Sequence, residues 1–138
     1  MPVLDRFTAV PNVAQAPGYS HAVTACGRLA FVAGQVALDA DGRLVGAGDL
    51  AAQTGQALRN MQYVLRALGA DWPDVVRFTW YVLDAAEVQV IRDVRDAFLR
   101  PSLGDRPNPA STLVQVAALV QPEWLVEVDA VVAVPDQS

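Results

Sequence analysis

Two carboxylates spaced two residues apart near the end of the chain, Glu127 and Asp129, are the side chains best placed for chemistry. They lie in a run, Leu125 to Val131, that alternates as a β-strand does, so both acids project from one face while Val126, Val128 and Ala130 project from the other. Such a face either meets solvent or lines a pocket. In an apolar pocket a carboxylate acquires a raised pKa and can act as general base toward water. One of the two acids is read as lining a pocket, and their spacing alone leaves open which. The other usable groups are Tyr19, Ser111, Thr112 and Arg92. One histidine, His21, and one cysteine, Cys26, cannot close a zinc site, and no nucleophile–base pair can be read around them. Gly46-Ala47-Gly48 lacks the length and the lysine of a phosphate loop.

The elements that must position these groups follow from hydrophobic period and turn chemistry. A short strand is expected around residues 7–10, before the loop PNVAQAPG. His21–Thr24 and Leu29–Val36 read as a hairpin turning at Gly27, with Gly34 marking a bulge or a close backbone approach. Asp49 caps a helix over residues 50–68, whose apolar stripe includes Leu58, Met61 and Leu65, with Gln53, Gln56 and Arg59 mainly on the other side. Asp71–Asp74 is a turn into a strand over 75–83, bulky on both faces and therefore central. Asp84 and Glu87 have capping-box spacing for a second helix over 85–99, with Val88, Ile91, Val94 or Arg95, and Phe98 inward, and Arg100-Pro101 as its end. The tail from Arg106 to Val134 reads as two strands about a break at Gln121-Pro122-Glu123.

The order β-β-β-α-β-α-β-β implies an α+β fold in a single domain, 1–138, with two helices on one face of a mostly antiparallel or mixed sheet of five to six strands. No third helix is available for the opposite face, so self-association is expected. Hydrophobic residues at 53% against 18% charged point the same way. No apolar run reaches the length of a membrane span, and the first residues lack the pattern of a signal peptide, so a cytoplasmic location is expected. A net charge of −5, with ten arginines scattered among fifteen acids, argues against nucleic acid as a partner.

The segments APGYSHAV, LAFVAGQVALDADGRLV, AAQTGQALRNMQYVL, VVRFTWYVLD and RPNPASTLVQVAALVQPEWLVEVDAVV, in that order, resemble the RidA/YjgF family over almost the whole chain. The resemblance implies a chorismate-mutase-like fold, a homotrimer with ligand clefts between subunits, and cofactor-independent hydrolysis of enamines and imines such as 2-iminoacids. In such members an arginine before the last strands clamps the substrate carboxylate, a glutamate on the last strand activates water, and a tyrosine near the N-terminus closes the pocket.

Tyr19 matches that tyrosine and Glu127 that glutamate, whereas the family's Pro-Ala-Arg-Ser becomes Pro109-Ala110-Ser111-Thr112, so Ser111 stands where the arginine would be. Ala33 replaces a serine before Gly34, Arg92 falls at the helix asparagine, and Leu113 falls at a cysteine. Losing a bidentate contact to a desolvated carboxylate removes about 2–5 kcal/mol of binding, so ordinary 2-iminoacid turnover is expected to be weak or absent and a neutral substrate is favoured. Arg92 is the candidate replacement cation. Its competing reading is a surface residue paired with Asp96 at i,i+4. A non-catalytic small-molecule binder or partner of a pathway enzyme is the alternative to hydrolysis.

Overall fold

The computed structural model describes residues 2–136. Its main elements are β1 (Val3–Phe7), β2 (Ala22–Ala25), β3 (Arg28–Gln35), α1 (Leu50–Ala67), β4 (Val75–Val82), α2 (Val88–Leu103), β5 (Ala110–Gln115) and β6 (Val126–Val134). This is the α+β order expected from the sequence. Strands β3, β6, β4 and β5 form one sheet in that spatial order, antiparallel except for the parallel pair β4–β5, and β1 pairs with β2 in a separate antiparallel ribbon.

Both helices lie on one face of the larger sheet. Asp49 caps α1 by accepting from the Ala52 amide, and Gly69, at a φ of +72°, takes the left-handed turn just beyond the helix. Leu58, Met61 and Leu65 of α1, with Ile91 and Leu99 of α2, pack against Phe78, Trp80 and Val82 of β4 and Val126, Val128 and Val132 of β6. Each such side chain contributes about 1.5–3 kcal/mol on burial. Among the described residues nothing packs on the opposite face. There Phe31 is 77% exposed, with Leu29 open beside it on β3 and Val114 open on β5 at the other edge of the sheet.

Four expectations are corrected. The first strand is Val3–Phe7 rather than residues around 7–10, and Phe7 is where it ends. β2 and β3 are not a hairpin, because β2 pairs with β1 and β3 with β6. A tight two-residue hairpin of the type I′ kind needs positive φ at both central positions, and between Ala25 and Arg28 Gly27 has it (+91°) while Cys26 does not. The two tail strands are also not neighbours: β4 lies between β5 and β6, so the bulk on both its faces reflects a central position. Finally, α2 begins at Val88 after a short 3₁₀ turn, Ala85–Glu87, and runs through Pro101 to Leu103. Pro101 costs the helix one hydrogen bond, to the Ala97 oxygen, and side chains serve the free carbonyls at its end and just beyond. Arg106 donates to the Ser102 and Leu103 oxygens, Arg100 donates to those of Gly104 and Arg106, and Leu103 is buried.

Gln53, expected on the outer side of α1, is fully buried. Its amide nitrogen donates to the Gly46 and Glu123 oxygens, and its oxygen accepts from the Leu125 amide at 2.9 Å. One side chain thus ties the loop before α1 to the entry of β6, whose register decides that Glu127 faces away from the helices. Gln53→Leu removes three hydrogen bonds and leaves the Glu123 oxygen and the Leu125 amide without a partner, while the Gly46 oxygen keeps the Asp49 amide. It is expected to cost about 3 kcal/mol, a fall in Tm of roughly 10 °C for a chain of this size. Thermal unfolding followed by circular dichroism checks it, and an unchanged Tm would mean that water replaces all three bonds.

Candidate functional site

Register divides the candidate residues between two sides of the sheet. On β5, Ser111 lies opposite Phe78 and Leu113 opposite Trp80, so both point toward the helices. There they line a small cleft with Tyr19, Val88, Ile91, Arg92 and Arg95. On β6, Glu127 lies opposite Tyr81 and Asp129 opposite Thr79, on the uncovered face. Ala33 and Gly34 accompany Glu127, at the irregularity between Val32 and Gln35 where β3 departs from β6. Within one chain, therefore, the sheet stands between Glu127 and the cleft that holds Tyr19 and Ser111.

Gly34 shows why a glycine is needed in β3. A Cβ there would sit 2.2 Å from the Glu127 Oε2, so the carboxylate rests on bare backbone. Burial, and after it the negative charge of Asp129, pushes the Glu127 carboxyl above its ordinary pKa. Asp129 is itself engaged: the Tyr81 hydroxyl donates to its Oδ2 at 2.9 Å, a bond that holds the phenol protonated and raises its pKa. Asp129 thus holds the Tyr81 phenol and also acts on the charge of its neighbour Glu127.

Tyr19 is placed by the segment around it. The Ser20 amide donates to the Pro109 oxygen and its hydroxyl to the Asn108 oxygen, so residues 18–20 run alongside the start of β5. Asn108 is the hub, its amide nitrogen donating to the Gly18 oxygen and to Asp96 Oδ1 while its own oxygen accepts from Arg100. The Tyr19 ring stands edge-on to His21, with centroids 5.7 Å apart.

The helix cations differ from expectation. Asp96 pairs with Arg95, whose Nε and Nη2 both lie 3.0 Å from Oδ1, and it forms no ion pair with Arg92. Side-chain direction explains it: Arg92 leans into the cleft beside Ser111, while Arg95 lies on the buried stripe between Ile91 and Leu99. That spacing of four was visible in the sequence. Asn108 and Gln53 gave no such signal, since each is defined by partners remote in the chain.

A family model described as endoribonuclease L-PSP matches residues 11–134. A RutC family protein of Synechocystis is 33% identical over 129 residues, covering 90% of this chain and 95% of that protein. Human 2-iminobutanoate/2-iminopropanoate deaminase is 33% identical over 115 residues, with 80% of this chain and 79% of the deaminase covered. The solved structure of YyfB, a Rid family protein from Yersinia pestis, is 38% identical with a TM-score of 0.81, covering 94% of this chain and 99% of that one. With the fold and these matches together, the chain belongs to the RidA/YjgF family, the group that the endoribonuclease L-PSP model describes.

Proposed function

We propose that this protein hydrolyses a small imine or enamine in clefts between the subunits of a homotrimer, without a cofactor and without a cation at position 111. The observation that carries the reading is Glu127, a carboxylate with a raised pKa beside bare Gly34 backbone, at the margin of an exposed apolar face. A second copy packed on that face would bring its β5–α2 cleft toward Glu127, uniting Glu127 with Tyr19, Arg92, Ser111 and Leu113. Ala33 and Gly34 would form the floor on the Glu127 side.

The chemistry asked of these groups balances simply. An enamine first tautomerises to the imine. From the protonated imine, ionised Glu127 takes a proton from water as the oxygen attacks the iminium carbon, giving a neutral carbinolamine. Glu127 then returns that proton to nitrogen and the C–N bond breaks with release of ammonia. The carbinol hydroxyl gives its own proton to the Glu127 carboxylate and thence to water, leaving the product carbonyl. General base catalysis of this kind supplies about 10²–10⁴-fold. Tyr19 and Ser111 offer hydroxyls that orient the substrate.

The missing cation at 111 favours one second reading, binding without turnover, by a sensor or a partner of a pathway enzyme. Ribonuclease action fits less well, because phosphate backbones call for a basic groove and the net charge is −5. The deciding assay generates imines in situ with an amino-acid oxidase and follows their lifetime with and without the protein. Acceleration over the spontaneous rate is expected. No acceleration on a panel of charged and neutral imines would leave binding as the function.

A further inference from the structure

The cleft between β5 and α2 has lost its strand arginine and is nonetheless cationic. Arg92 and Arg95 both line it beside Ser111, and no carboxylate does. Arg95 is only 6% exposed. Most of this guanidinium is buried, yet the fold pairs only part of it and leaves Nη1 at the surface. Nε and Nη2 share a single oxygen of Asp96, a residue that is itself 45% exposed and whose Oδ1 also receives the Asn108 amide. A bidentate pair would use both carboxylate oxygens. Among the described residues no hydrogen bond engages Arg95 Nη1. Asp96 therefore aims the guanidinium without saturating it.

The backbone is shaped around this group. Gly18, at a φ of +77°, passes so close that a Cβ would lie 3.1 Å from Arg95 Nη2. Tyr19 is the next residue and lines the same cleft, so the turn that carries the tyrosine is laid over the arginine.

We propose that Arg95, assisted by Arg92, is the cation that holds a carboxylate of the ligand in this cleft. The anion clamp has then moved from strand β5 to helix α2, and the substrate is an imine or enamine that carries a carboxylate. This rests on the reading of the cleft as the ligand site, and it reverses the neutral substrate expected from Ser111 alone.

Calorimetric titration of the full-length protein with two stable probes tests it: 2-oxobutanoate, the carboxylate product of hydrolysing a four-carbon 2-iminoacid, and its neutral amide. Wild type is expected to bind the carboxylate more tightly than the amide. Arg95→Met is expected to lose ~30-fold or more of carboxylate affinity, as when one partner of a desolvated charge pair is removed, with amide affinity unchanged. Arg95→Lys, which keeps the stem and a point charge, is expected to fall between. Equal binding of the two probes by wild type overturns the proposal with no variant needed, which covers the case in which Arg95→Met does not fold. Full carboxylate affinity in a folded Arg95→Met also overturns it. Binding of neither probe by wild type overturns the cleft reading itself, a result distinct from equal binding.

Discussion

Glu127→Gln is expected to slow imine hydrolysis by roughly 10²–10⁴-fold while ligand binding persists, because the amide keeps the shape of the side chain and cannot accept the water proton. The pH profile gives a second, independent readout. Burial first, and Asp129 second, raise the Glu127 pKa. The ionised form is the base, so the rate should climb as pH rises through that raised value and level off above it. Asp129→Asn removes a like charge, which lowers the Glu127 pKa and moves the rising limb toward acid. The limb should not return fully to the ordinary carboxylate value, since the larger cause, burial, remains. Stability runs the other way. A carboxyl whose folded pKa is raised contributes stability below its unfolded pKa and loses it as pH rises through the folded one. At neutral pH the glutamine variant should therefore unfold at no lower temperature than wild type, and its lost activity cannot be laid to unfolding. A rate unchanged in Glu127→Gln, or a limb that Asp129→Asn leaves in place, would sink the assignment of the base.

Phe31→Asp is expected to convert the proposed trimer to monomers and to abolish turnover with it. Phe31 is 77% exposed on the uncovered face of β3, beside Leu29. Burying such a ring is worth about 1.5–3 kcal/mol per copy, and three copies contribute in a trimer. An aspartate there would also have to give up its hydration at the interface. Sedimentation of wild type should give about three times the 14.7 kDa chain, and the variant about one. Because the sheet separates Glu127 from Tyr19 and Ser111 within one chain, the monomer should keep its fold and lose its site. A wild-type monomer that turns over imines would fail both halves of this expectation, and a trimeric Phe31→Asp would place the interface elsewhere.

The sequence by itself determined the classes and order of the elements, because period and capping are local. Asp49 and Gly69 mark the ends of α1, and alternation in Phe78–Trp80–Val82 and Val126–Val128–Ala130 marks the face of each strand. It determined that Glu127 and Asp129 share a face, and it placed Gly34 where backbone and another group come close. It did not determine which strands pair. Proximity in sequence suggested hairpins for β2–β3 and for the tail, whereas pairing energy is collected from partners far along the chain, β3 with β6 and β4 between β5 and β6. Nor did it give the destinations of long polar side chains. Gln53 read as an outward helix residue and Arg95 as one of two inward alternatives, until tertiary contact buried the first against three backbone groups and turned the second into the cleft. A polar side chain is drawn inside only where distant segments supply its hydrogen bonds, and where those segments meet is decided by the packed fold.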